Sequence, residues 1–224
     1  MDTRELKRTA LVRFGSGAVV LGAIFFLPAG TLRYWEAWLF LATLFIPMAF
    51  VAAYLIAHDP ALVERRLTQR EERPRQKAIV ALNGGLWLVA FLVPGFDHRF
   101  GWSSVPTWVA VSADALVLAG YLVFFVTVRE NSFAARTIRV EEGQKVISTG
   151  PYAVVRHPMY SGIGLMMLFA PLALGSWWAL IPGLATPAFL MFRILDEEEA
   201  LASELPGYPE YMRQVRWRLI PGVW

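Results

Sequence analysis

The 224-residue chain contains no cysteine. That excludes a disulfide framework, a thiolate nucleophile and a cysteine-ligated metal. Charge is scarce as well: Asp, Glu, Lys and Arg make up 17% of the residues, against about 25% in an ordinary soluble domain. Histidine occurs three times, with no HExxH or similar ligand spacing, so no metal is expected. A Walker A loop is missing, and no GxGxxG follows a strand pattern. Gly15-Ser16-Gly17 and Gly162-Ile163-Gly164 lie in or beside helical runs, where small residues more often permit close helix packing. No polar stretch is long enough to form a second, soluble domain.

What is present instead is apolar sequence. Hydrophobic residues make up 56% of the chain, the mean hydropathy is +0.46, and the excess falls in long runs. That is the signature of bilayer spans. Candidate spans cover residues 12–29, 35–57, 78–93 and 105–128, and a longer apolar region covers 159–194. The last is too long for one span and carries Gly175-Ser176 at its middle, so it reads as a tight hairpin of two helices. The expected fold is therefore all-α: a polytopic membrane bundle of about six transmembrane helices, or five if the final hairpin is only partly embedded.

The net charge of +3 is not read as a nucleic-acid signal, because the basic residues cluster beside apolar runs, where they orient membrane proteins. Arg4, Lys7, Arg8 and Arg13 precede the first span. Arg65, Arg66, Arg70, Arg73, Arg75 and Lys77 follow the second. Arg129, Arg136, Arg139, Lys145 and Arg156 follow the fourth, and Arg213, Arg216 and Arg218 lie in the tail. The two intervening loops hold Arg33 and Arg99. This alternation predicts that both termini are cytoplasmic, on the inner face of the plasma membrane in a bacterium. The tryptophans near span ends fit an interfacial belt, and Asp114, the main mid-span charge, is expected to pair with a neighbouring helix.

Two polar segments stand out: RENSFAARTIRVEEGQKVISTGPYAVVRHPMY over residues 129–160, and RILDEEEALASELPGYPEYMRQVRWRLIPGVW over residues 193–224. They flank the final hairpin, which would return the chain and bring them together. Gly150-Pro151 marks a turn, and His157-Pro158 opens a helix, since proline suits the first helical turn. A helix start exposes backbone N–H groups and suits an anion such as a carboxylate, beside which His157 and Tyr160 add donors. Asp196 to Glu199 form an acidic run. Arg193 precedes Glu197 by one helical turn, sharing its face, and either snorkels or binds an anionic substrate from the bilayer. Tyr208, Tyr211, Trp217 and Trp224 among the tail arginines suit the membrane interface.

GPYAVVRHPMYSG, the following Glu-Glu pair and GYPEYMRQVRWRLIPGVW resemble the isoprenylcysteine carboxyl methyltransferase family, which is related to membrane phospholipid methyltransferases. The resemblance covers roughly residues 129–224; Asn131 stands where the family has an NF-type element, here NSF. It implies a membrane methyltransferase that binds S-adenosylmethionine in a cytoplasmic pocket and takes a lipophilic or prenylated acceptor from the bilayer. By position it implies cofactor contacts at Gln144, Lys145, Val146 and Ile147 (by spacing to Gly150), then at Tyr152, His157, Pro158, Met159, Tyr160 and Glu197. Arg193 matches a substrate-facing arginine, with Arg129 and Asn131 beside it on the acceptor side. A carboxylate acceptor is already anionic and needs no base; an amine acceptor would need one, and Glu198 is the candidate. The implied organisation is one integrated domain, with transmembrane helices over residues 1–128 and a methyltransferase-like region over 129–224. The alternatives are a sterol-reductase-like enzyme using NADPH, for whose extra phosphate only Arg156 and Lys145 offer charge, and a scaffold or transporter, for which no inverted repeat is visible.

Overall fold

In the computed structural model, residues 2–68, 74–134, 140 and 143–224 are described. Arg70, Arg73, Arg136 and Arg139, counted above among the basic loop residues, lie outside them. Every regular element among the described residues is helical: α1 (Thr3–Ala29), α2 (Trp35–His58), α3 (Pro60–Thr68), α4 (Pro74–Phe100), α5 (Thr107–Glu130), α6 (Pro158–Ala173), α7 (Leu180–Glu204) and α8 (Tyr208–Gln214), with a 3-10 turn at Gly150–Ala153. Helices α1, α2, α4 and α5 are long and apolar enough to cross a membrane. Leu11, Val19 and Leu27 of α1 are 72, 73 and 75% exposed. So large an apolar surface is stable only against lipid.

The last apolar region forms the expected hairpin, but its helices differ from the first four. Helix α6 has 16 residues, about 24 Å at 1.5 Å per residue, short of the ~30 Å hydrocarbon core. Helix α7 carries no charged residue up to Phe192, then holds Arg193 and runs into Asp196, Glu197, Glu198 and Glu199. Its polar end thus projects beyond the apolar layer, which is what places the acidic run beside the segment before α6. Asp114 is buried on α5.

Two features set the hairpin's position. At the apolar midpoint, α5 and α6 approach through Gly120 and Gly162. A Cβ on Gly120 would lie 2.6 Å from the Gly162 carbonyl oxygen, and a Cβ on Gly162 would lie 2.6 Å from that of Gly120. Only glycine fits at such a crossing. At the far end, the turn between α6 and α7 is held by Asp97 of α4. The Asp97 carboxylate accepts from the hydroxyls of Ser103 and Ser176 and from the Ser103 N–H at 2.7 Å. Gly175 makes the turn at φ +73, and the buried Tyr34 hydroxyl donates to the Leu174 carbonyl.

The unforeseen element is α3, which falls in the basic loop. Its arginines reach the chain beyond α5: Arg65 donates to the Ser132 carbonyl at 2.6 Å, and Arg66 donates to that of Ala134 and lies over the Phe124 ring. Residues read as orientation signals therefore also pin the chain that leaves α5.

The glycine crossing makes a direct prediction. Gly120→Ala and Gly162→Ala should each destabilise by about 1–3 kcal/mol, since backbone and not a mobile side chain must yield. Thermal unfolding in detergent checks this. A midpoint unchanged in both variants contradicts the close approach.

Candidate active site

At the polar end of the hairpin, the chain returns on itself as the sequence suggested. Pro158 occupies the first position of α6 with its φ preset for the helix, and His157 caps it. The backbone N–H groups of Arg156 and His157 donate to the carbonyls of Trp217 and Arg218, each at 2.9 Å. The tail is thus stitched to the corner that starts α6. One turn of α7 faces that corner from the other side of the hairpin.

The meeting point is Glu198. Its carboxylate is buried and takes up three donors. Arg156 Nε lies 2.7 Å from Oε1, His157 Nε2 lies 3.2 Å from the same oxygen, and Arg218 Nε lies 2.9 Å from Oε2. Arg156, itself buried, spends another nitrogen on the Val215 and Arg216 carbonyls at 2.9 and 3.1 Å. Burial pushes the Glu198 carboxyl up, but the hydrogen bonds from His157, Arg156 and Arg218 outweigh it and hold it down at about 2. One carboxylate thus joins the pre-α6 corner, α7 and the tail.

Beside this cluster lies a pocket whose lining joins four parts of the chain. Asn131, Phe133 and Ala134 come from the segment after α5. Gln144, Lys145, Val146, Ile147 and Tyr152 come from the approach to α6. Arg156, His157, Met159 and Tyr160 form the α6 corner. Glu197, Ala200, Leu201, Leu205, Tyr208 and Tyr211 come from the polar end of α7 and from α8. Local bonds fix the walls. The Asn131 amide donates to the Tyr152 hydroxyl at 2.9 Å while its oxygen accepts from the Phe133 N–H at 2.9 Å. The Tyr211 hydroxyl donates to the Tyr152 carbonyl at 2.7 Å. The Tyr160 hydroxyl donates to Glu197 at 2.7 Å and accepts from Arg193 Nε at 2.8 Å. Burial pushes the Tyr152 phenol up to about 12 and also raises that of Tyr208. Both are neutral hydrogen-bonding groups at physiological pH, not phenolate bases.

Most residues expected at a cofactor site thus line one pocket: Gln144, Lys145, Val146, Ile147, Tyr152, His157, Met159, Tyr160 and Glu197. Pro158 does not line it; it is buried behind the corner as the helix-starting residue. Of the four residues expected on the acceptor side or as catalytic groups, three stand outside the lining. Asn131 lines the pocket but is bound to Tyr152. Arg129 is exposed at the end of α5, outside the lining. Glu198, the candidate base, lies outside the lining too, with both oxygens bound to cations. Arg193 is not in the lining either; it reaches the pocket through Tyr160.

Sequence reasoning missed Arg156, Tyr208 and Tyr211 as pocket walls. Arg156 was counted as an orientation signal, and the tyrosines as interfacial anchors. The spacing of Tyr208 and Tyr211 on a helix begun by Gly207 (φ +86) and Pro209 is the signal that puts both on one face. Trp217 and Trp224 do not line the pocket; Trp224 packs under the Arg218 guanidinium, 5.0 Å from its ring centroid. Among the described residues, no cluster of three or more His, Asp or Glu side chains is arranged to hold a metal.

Residues 110–203 match the model of the isoprenylcysteine carboxyl methyltransferase (ICMT) family. The match bears out the resemblance carried by the sequence motifs. It runs from α5 through the pocket rim and α6 to the polar end of α7, and it stops before α8 and the tail. Comparison with curated proteins returns no match.

The depressed Glu198 pKa fixes a sign. Its contribution to stability is complete above the ordinary value of 4.5 and is lost as pH falls towards about 2. Glu198→Gln should destabilise by about 3–5 kcal/mol at neutral pH, because it leaves buried guanidinium charge uncompensated. The gap to the wild type should narrow as pH drops through that window. Unfolding midpoints of both proteins across pH 7 to 3 check it; a constant gap would contradict the clamp.

Proposed function

We propose, on the premise that residues 110–203 match the isoprenylcysteine carboxyl methyltransferase family, that this membrane methyltransferase uses S-adenosylmethionine to methylate the carboxylate of a lipophilic acceptor. In this reading, residues 1–128 form the membrane scaffold and residues 129–224 carry the cofactor loop, hairpin and tail. The distribution of Lys and Arg sets the pocket and both termini on the cytoplasmic face.

The observation that carries the reading is the hydrogen-bond chain Arg193–Tyr160–Glu197. One tyrosine hydroxyl joins a cation on the apolar side of the corner to an anion in the pocket. An anionic acceptor and a cationic cofactor call for that polarity. When bound, S-adenosylmethionine supplies a methyl carbon on a sulfonium, transferable to a nucleophile as the neutral thioether departs.

The residues fit such a molecule. Glu197 offers a carboxylate to its ammonium. The first-turn N–H groups of α6, at Met159 and Tyr160, have no partner within the helix and suit its carboxylate. Tyr152, Tyr208 and Tyr211 offer aromatic faces to the adenine and to positive charge. The Tyr208 hydroxyl is buried and has no hydrogen-bond partner among the described residues, a donor left open at the pocket wall. Gln144 to Ile147 close the pocket on a further side.

Arg193 holds and orients the acceptor carboxylate at the membrane boundary, and positioning with electrostatics supplies the rate enhancement. No proton need be removed from a carboxylate. That suits a site where Glu198 is bound to three donors and Tyr152 and Tyr208 are neutral. Glu198 is then a positioning residue that locks the corner and the tail together. The NADPH alternative is weakened because Arg156, one of the two cations available for the extra phosphate, is buried and committed to Glu198 and the tail carbonyls.

Purified protein in detergent should bind S-adenosylhomocysteine and not NADPH. Glu197→Ala should weaken that affinity about tenfold or more, as expected for loss of a charged hydrogen-bonding partner. Calorimetric titration checks it. Tight NADPH binding without S-adenosylhomocysteine binding overturns the reading, and unchanged affinity in Glu197→Ala misplaces the ammonium.

A further inference from the structure

Gln76 lies in the first turn of α4, outside the segment that matches the family. It is fully buried. Its amide bridges two α7 side chains. Nε2 donates to Asp196 Oδ2 at 2.6 Å, and Oε1 accepts from Arg193 Nη1 at 3.2 Å. The Nε of the same guanidinium donates to the Tyr160 hydroxyl at 2.8 Å. Two edges of the guanidinium plane are therefore held by neutral oxygens from two different helices, α4 and α6.

This arrangement has a chemical logic. An unrestrained arginine carries substantial rotamer entropy, and the rate of a positioning site depends on having that freedom already removed. The restraint must not neutralise the charge that is to bind an anion. An amide meets both needs, since it accepts from Arg193 without adding negative charge. Its other end donates to Asp196, which fixes which way the amide points. A glutamate at this position would set a second carboxylate against Asp196 and compete with any anionic acceptor for Arg193. A leucine would leave Asp196 and Arg193 each short of one partner in a half-buried setting.

We propose that Gln76 is the positioning residue for Arg193, so that the start of α4 forms the acceptor-side wall of the active site and helps to select an anionic headgroup. The proposal rests on the role given to Arg193 above. It makes the acceptor site a joint product of α4, α6 and α7. Among the described residues, none from α4 lines the cofactor pocket.

The test uses full-length protein in detergent, with S-farnesyl-N-acetylcysteine as the carboxylate probe and labelled S-adenosylmethionine as donor. Gln76→Leu should lower kcat/KM for the probe about tenfold or more, the scale expected when an orienting group is misplaced. S-adenosylhomocysteine affinity should stay within about twofold, since uniform cofactor binding is untouched. Gln76→Glu should raise the KM for the probe at neutral pH. Its activity relative to wild type should climb as pH falls, because a protonated glutamic acid reproduces the amide's donor and acceptor towards Asp196 and Arg193. A merely structural glutamine would not give that pH profile.

Wild-type turnover in Gln76→Leu, parallel loss of cofactor affinity and turnover, or a Gln76→Glu profile parallel to wild type would each overturn the proposal. A wild-type protein that neither binds S-adenosylhomocysteine nor methylates the probe would overturn the function reading itself, and this inference with it. The two failures are thus distinct.

Discussion

Glu198 carries a negative charge in a buried place, and the site depends on how that charge is compensated. An isolated carboxylate there would cost several kcal/mol. It is tolerated because Arg156, His157 and Arg218 converge on it from two separate stretches of chain. The compensation is mutual: the arginines are as intolerant of losing the carboxylate as it is of losing them. Burial of the cluster therefore forces the pre-α6 corner, the end of α7 and the tail into one arrangement. The pocket is the space left beside it.

From that constraint the division between neighbouring glutamates follows. Glu197 and Glu198 are adjacent in sequence, so they point in different directions around α7. Glu198 turns into the ion cluster and stays fixed. Glu197 faces the pocket and meets the Tyr160 hydroxyl. The same split applies at the α6 start: the Arg156 and His157 N–H groups serve the tail, whereas the later first-turn groups remain for a ligand. Clamp and binding surface share one corner without competing for the same atoms.

The membrane character, the first four spans, the hairpin turn at Gly175 and the convergence of the two polar segments were all legible in the sequence. Long apolar runs and a glycine at a turn are local signals, and local signals survive without coordinates. The family resemblance pointed to Glu197 as the pocket member of the Glu-Glu pair, but the residue pattern alone did not, because the choice depends on the rotation of α7, set by packing against α4 and α6. Arg156 and Gln76 were missed for a related reason. Each looks like ordinary membrane-flank polarity until the fold supplies partners 42 and 120 residues away. The helix α3 was missed because its basic residues were read for their charge and not for their donors, which pin the chain after α5.

In the proposed function, the pocket between the α6 corner, the end of α7 and α8 holds S-adenosylmethionine. Ultraviolet cross-linking of methyl-labelled S-adenosylmethionine to the detergent-purified protein, with the labelled peptides mapped by mass spectrometry, tests it most directly. Label is expected on peptides containing Gln144 to Tyr160 or Glu197 to Tyr211, competed away by S-adenosylhomocysteine and not by NADPH. Label confined to peptides of α1 or α2, or label insensitive to S-adenosylhomocysteine, would contradict it.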